Sequence, residues 1–155
     1  MREKFMARAI ELAIENVRSG RGGPFGSLIV KGDEIIAEGA NDVTSSNDPT
    51  AHAEVLAIRR ACAKLGVFQL HGFDLYTSCE PCPMCLGAIY WARPDRVYFG
   101  GTAADASKVG FDDSFIYDEI PLPPAQRKLK MIQLMREEAQ EPFNIWQRHP
   151  NKIPY

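Results

Sequence analysis

Three features of the sequence predict an α/β domain, a three-layer α/β/α sandwich around a mixed sheet of about five strands. Helical and strand-like patterns alternate along most of the chain. Two short apolar runs flank Gly32-Asp33 and form a β-hairpin, which makes the sheet mixed rather than wholly parallel. The 155 residues are 45% hydrophobic and 25% charged, and no repeat or linker divides them, so one domain spanning 1–155 is expected.

The elements follow in order. Met6, Ile10, Ala13, Ile14 and Val17 recur at helical spacing, so residues 3–18 are expected to form an amphipathic helix stopped by Gly20. "SLIVKGDEIIAEG" gives the hairpin over residues 27–38. In "SSNDPTAHAEVLAIRRACAKLG", Asp48 can cap a second helix, Pro49 fits its first position and Gly66 ends it. "FDLYTS" is a buried strand, "PMCLGAIYWA" a helix stopped near Pro94, and "RVYFG" a further strand. Residues 100–128 read as loops with one helical turn. "KMIQLM" reads as the fifth strand, "PFNIWQRH" as a short helix and "PNKIPY" as a tail.

Composition narrows the function classes. A net charge of -2 argues against a nucleic-acid binder. No run approaches the length of a membrane span, and "MREKFMARAIELAIENVRSG" is too charged for a signal core. Four cysteines without an export signal read as thiols or metal ligands in a cytoplasmic protein.

Three of those cysteines fall in "CEPCPMC", Cys79 to Cys85. Cys82-x-x-Cys85 alone is either a redox dithiol or half of a zinc site. The upstream "PTAHAE" breaks the tie, because "HAE" with "PCPMC" reproduces the H-x-E…P-C-x-x-C pattern of zinc nucleobase deaminases. His52, Cys82 and Cys85 would hold one Zn²⁺ in three positions and leave the fourth for water. Zinc lowers that water's pKa from about 15.7 toward roughly 7. Glu54 would carry the proton to a ring nitrogen and then to the leaving amine. One geometric difficulty stands: residues 52 and 54 lie about 200° apart around an ideal helix, so the metal must sit off the helix tip.

Each residue has a plainer reading. Cys79 as a fourth ligand would close the site and make it structural, although a small buried thiol at a strand end is the simpler account. Cys62 reads as helix core, His71 as a surface or strand-start residue, and His149 has no ligand pattern. Asp113 in "FDD" can cap a turn, and Asn41 in "GAND" can be a turn residue. Phe25 and Trp91 can be core, and Tyr155 simply tail.

Taken together, "GGPFGSLIV", "NDVTSSNDPTAHAEVLAIRRAC", "LYTSCEPCPMCLGAIYWARPDRVYFG" and "GFDDSFIY" resemble the bacterial guanine deaminases of the cytidine-deaminase superfamily, over essentially the whole chain. Bacterial tRNA adenosine deaminases share "DPTAHAE" and "EPCPMC", but there a serine-arginine pair follows the cysteine helix, where this chain has Ala92-Arg93. The resemblance implies a cytidine-deaminase-like fold and deamination of guanine to xanthine and ammonia. It implies His52, Cys82 and Cys85 as ligands of one Zn²⁺ per subunit and Glu54 as proton shuttle. Phe25, Asn41, Trp91 and Asp113 would surround the purine base. The resemblance further implies a homodimer that exchanges residues 142–155, with Tyr155 closing the partner's pocket. No nucleic-acid or membrane partner is expected. The competing readings are deamination of cytosine or cytidine, adenosine deamination on tRNA, and a nonenzymatic zinc-binding interaction module.

Overall fold

The computed structural model describes residues 2–155 and contains two compact units, one running to Asp113 and the other spanning Ser114–Tyr155. The first opens with α1 (Arg2–Arg18), the hairpin strands β1 (Gly26–Lys31) and β2 (Glu34–Ala40), and the single turn α2 (Val43–Ser46). Then follow α3 (Ala53–Leu65), β3 (Asp74–Cys79), α4 (Pro83–Ala92), β4 (Arg96–Gly101) and α5 (Ala103–Ser107). The sheet order is β2-β1-β3-β4. β1 runs antiparallel to β2 and β3, whereas β3 and β4 are parallel and joined through α4, so the sheet is mixed.

Strand alternation sends successive β1 side chains to opposite faces. Leu28 and Val30 join Phe5, Ala9 and Tyr76 beneath α1. Ile29 joins Leu75, Ala57, Ala61, Ile89 and Ala92 beneath α3 and α4. Leu28, Ile29 and Leu75 have no exposed surface, and each such side chain contributes roughly 1.5–3 kcal/mol by leaving water.

The buried face of α1 differs from the expected one. It comprises Phe5, Ala9, Ala13 and Asn16, while Ile10, Ile14 and Val17 are exposed. Small residues win this face because β1 approaches the helix backbone closely, so that a Cβ on Gly26 would lie 2.3 Å from the Ala9 carbonyl oxygen. Similar closeness sets α3. A Cβ on Gly39 of β2 would lie 2.1 Å from the Ala53 carbonyl oxygen, so only glycine lets the start of α3 rest on the sheet.

Helix α3 starts at Ala53 rather than near Pro49. Asp48 does not cap it; its carboxylate instead accepts from the Thr50 main-chain N–H at 2.8 Å and the Thr50 hydroxyl at 2.7 Å, closing a turn. Gly66 ends the helix in the left-handed conformation.

The second unit holds α6 (Ser114–Glu119), 3-10 turns at Pro124–Gln126 and Glu138–Gln140, and α7 (Glu141–Arg148). The strand expected at residues 130–135 does not form, which leaves four strands in the sheet. A strand persists only when a neighbour completes its ladder, and Leu129, Ile132 and Leu134 are each at least 75% exposed. No residue from Ser114 to Tyr155 is buried. Among the described residues, no helix is long and apolar enough to cross a membrane.

Candidate active site

Helix starts build the centre of the site. His52 is the N-cap of α3 and adopts an extended backbone (φ -74, ψ 153). It therefore precedes the helix, and its ring is free of the helical phase that would have turned it away from Glu54. Cys82 is the N-cap of α4, with Pro83 in the first turn, where its missing N–H costs nothing. The Cys82 sulfur accepts from the Cys85 main-chain N–H at 3.5 Å. Helical geometry then brings Cys85 back to the same end of α4.

His52 Nδ1 lies 3.5 Å from Cys82 Sγ and 3.4 Å from Cys85 Sγ. Zn–S and Zn–N bonds of about 2.3 and 2.0–2.1 Å at tetrahedral angles place sulfur and nitrogen about 3.6 Å apart, so the three donors fit a zinc ion. Among the described residues, His52, Cys82 and Cys85 form the group of potential ligand atoms lying within 4.8 Å of one another. Cys79 is not in it. The Cys79 thiol sits at the end of β3 and donates to the Thr102 carbonyl at 3.6 Å, and burial raises its pKa. Cys62 packs against the core beneath α3, as expected.

The two thiols form a coupled pair. The hydrogen bond with Cys85, aided by His52 and the α4 N–H, pulls the Cys82 thiol down to about 4. Cys85 moves strongly upward through the same bond and through burial. The hydrogen bond to Cys82 raises His52. Glu54, 6% exposed, takes a hydrogen bond from the Cys85 thiol at 3.4 Å, and burial raises its pKa. A carboxyl held toward its protonated form beside two metal ligands is equipped to give and take a proton.

A cavity of about 620 Å³ opens beside this centre. His52, Glu54 and Cys82 line it together with Phe25, Asn41 and Asp113. Phe25 meets Phe111 edge-on, with ring centroids 4.9 Å apart. Asn41 is buried, and its Oδ1 accepts from the main-chain N–H groups of Gly23 and Val43, both at 3.3 Å. Burial raises the Asp113 carboxyl, with Cys82 and Asp112 adding repulsion.

One residue expected around the base is absent from this wall. Trp91 is 62% exposed on α4, six residues beyond Cys85, a separation that turns it to another side of the helix. Tyr155, expected to close a partner's pocket and not its own, is 72% exposed in the second unit. Conversely, the cavity is lined by Thr44, Glu80 and Phe111, none of which stood out in the sequence. Glu80 accepts from the Ala103 N–H at 2.9 Å and so anchors the start of α5. Its place between two cysteines in "CEPC" is the signal that could have found it.

Residues 1–101 match the cytidine and deoxycytidylate deaminase zinc-binding region. The chain is 57% identical to the guanine deaminase of Bacillus subtilis, over 99% of this chain and 98% of that one. The crystal structure of the Bacillus subtilis guanine deaminase superposes with a TM-score of 0.96. The structure of a guanine deaminase from Nitrosomonas europaea is 32% identical, with a TM-score of 0.66 over 70% of this chain and 63% of that one. A tRNA-specific adenosine deaminase of Aquifex aeolicus is 41% identical over 76% of each chain. The matched zinc-binding region contains all three clustered ligands and Glu54, and the chain belongs to the cytidine and deoxycytidylate deaminase family.

Proposed function

We propose that the protein catalyses zinc-dependent hydrolytic deamination of guanine, converting guanine and water to xanthine and ammonia. What carries this reading is the single cavity that joins the His52–Cys82–Cys85 cluster and Glu54 to Phe25, Asn41 and Asp113. The guanine deaminase of Bacillus subtilis, similar along nearly the whole chain, supports the choice of base.

Bound zinc supplies a Lewis acid that activates water at neutral pH. The protein's own residues do the rest. Phe25, braced by Phe111, packs against the flat face of the base. Asn41 has its carbonyl oxygen occupied by main-chain N–H groups, so it offers its Nδ2 donor to an acceptor on the purine. Asp113 is acceptor-only when ionised and suits the donor edge of guanine. Glu54 takes a proton from the attacking water and gives it to a ring nitrogen, then takes that water's second proton from the hydroxyl now on C2 and gives it to the departing amine.

The assembly belongs to the same proposal. One deaminase domain carries residues 142–155 as a segment exchanged within a homodimer, and Tyr155 closes the partner's pocket. Supporting this, Leu129, Ile132, Leu134, Phe143, Trp146 and Ile153 are exposed in the second unit, a cost that a partner surface would remove. Exchange of an identical element is a low-cost route to a two-fold dimer. Trp91, on the exposed side of α4, belongs to the same proposal as a residue around the base. Four free cysteines, two of them outside the metal cluster, suit a reducing cytoplasmic setting.

The test is a substrate screen. Zinc-loaded protein is incubated with guanine, cytosine, cytidine, adenine, guanosine and a tRNA anticodon stem-loop, and ammonia and product mass are measured. Release of xanthine from guanine, well above turnover of the others, is expected. Preferential inosine formation on the stem-loop would replace this reading with tRNA adenosine deamination.

A further inference from the structure

We infer that Asn16, outside the cavity wall, is a positioning residue that holds the base-binding side of the pocket in place; the inference rests on the purine reading above. Asn16 lies on the buried face of α1 and is 4% exposed. A carboxamide there is unfavourable for the helix and for a face otherwise formed by Phe5, Ala9 and Ala13, so its hydrogen bonds must offset the difference. Both Nδ2 donors are used. One reaches the Gly23 carbonyl at 2.9 Å and the other the Asn41 carbonyl at 2.8 Å.

These two carbonyls belong to cavity-lining residues from segments far apart in the sequence. The bonds continue in a closed circuit: the Gly23 N–H donates to Asn41 Oδ1 at 3.3 Å, and the Asn41 N–H donates to the Phe25 carbonyl at 3.0 Å. The main-chain carbonyl of Asn16 also accepts from the Arg21 N–H at 3.2 Å. From the other side, the Ser45 hydroxyl donates to the Arg21 carbonyl. The glycine loop is thereby clamped between α1 and α2. Nothing larger than glycine fits the clamp, since a Cβ on Gly22 would lie 2.3 Å from the Asn41 carbonyl oxygen and 3.0 Å from Asn16 Nδ2.

The circuit determines which end of the Asn41 carboxamide faces the base, and it sets the position of Phe25. It does not include the metal cluster, whose ligands stand at the starts of α3 and α4. Asn16 therefore acts on substrate binding and leaves the chemical step alone. Only an amide serves here, because aspartate is the same shape but presents acceptors to two carbonyl oxygens, and alanine removes the side-chain donor of the Asn41 carbonyl and leaves the Gly23 carbonyl with the Phe25 N–H alone.

The experiment uses full-length zinc-loaded Asn16→Asp and Asn16→Ala, the second in case the first does not fold. The expected result is a KM for guanine raised by about tenfold or more, with kcat within about threefold of the parent and zinc at one per chain. Amide hydrogen exchange at Gly23, Asn41 and Val43 should be faster, while exchange within α3 and α4 stays at the parental rate. Gly22→Ala, whose Cβ would push apart Asn16 Nδ2 and the Asn41 carbonyl while leaving the Asn16 side chain itself in place, should give the same KM-selective loss. An unchanged KM, or a fall in kcat that tracks lost zinc or lost folded fraction, overturns the proposal. If the parent protein releases no ammonia from guanine, the purine reading fails by itself. The exchange comparison then still decides whether Asn16 holds the wall, and unchanged exchange at Gly23 and Asn41 overturns it.

Discussion

The Cys85 thiol donates to Oε2 of Glu54 across 3.4 Å, joining the second residue of α3 to the third residue of α4. A metal ligand and the proposed proton carrier are thus in direct contact although 31 residues separate them. Burial raises Glu54, so the side chain is held where it can keep a proton until the base needs it.

Replacing that carboxyl isolates its role. Glu54→Gln preserves shape and hydrogen bonding, so the protein should fold and keep one zinc per chain. Turnover of guanine should fall by roughly 10²–10⁴-fold, the usual contribution of a positioned acid/base. Near-parental kcat in a zinc-replete variant would remove Glu54 from the proton path.

Metal content separates Cys79 from the ligands. Cys79→Ser should retain stoichiometric zinc, whereas Cys85→Ser should lose most of it. X-ray absorption of the parent should show two sulfur neighbours at about 2.3 Å and lighter neighbours at about 2.0–2.1 Å. A third sulfur would bring Cys79 into the shell and make the site structural.

Asp113 should matter for the base and not for the metal. Asp113→Ala leaves a buried guanine donor unpaired at a cost of about 1–3 kcal/mol, or roughly 5–150-fold in kcat/KM. Zinc affinity should not change. Equal guanine kinetics in the variant would assign the donor edge to another residue.

Gly39→Val tests how the sheet sets the site. Its Cβ would strike the Ala53 carbonyl oxygen, between His52 and Glu54, and the Ala57 N–H at 2.7 Å. We expect a stability loss of about 1–3 kcal/mol by denaturant unfolding, together with weaker zinc binding. Parental zinc affinity would show that the start of α3 tolerates displacement from β2.

The proposed exchange of the tail is tested by complementation. A variant lacking residues 150–155 and a Glu54→Gln variant are unfolded, mixed and refolded together. In a mixed dimer, the truncated subunit keeps Glu54 and receives an intact tail from its partner. Activity should recover well beyond that of either variant alone. Mixed dimers without recovery would place the tail on its own subunit or away from the pocket.

The sequence by itself determined the chemistry. His52, Glu54, Cys82 and Cys85 were legible because zinc and proton transfer demand specific residue types, and those types sat at short, fixed spacings beside helix starts. It also determined the order of strands and helices up to β4, apart from the single turn α2, since period-two and period-3.6 patterns are local. Tertiary structure decided what depended on contacts distant in sequence. The extended backbone at His52 resolved the angular conflict with Glu54, which an ideal helix could not. The close approach of β1 moved the buried face of α1 from its isoleucines to Phe5, Ala9 and Asn16, with Ala13 common to both. Residues 130–135 have strand-forming side chains but no ladder partner, so they remain outside the sheet. Asn16 looked like an ordinary polar helix residue. Its use emerged only when the fold carried Gly23 and Asn41 to within hydrogen-bonding distance of one amide, because burial and the pairing of carbonyls are properties of packing, not of local pattern.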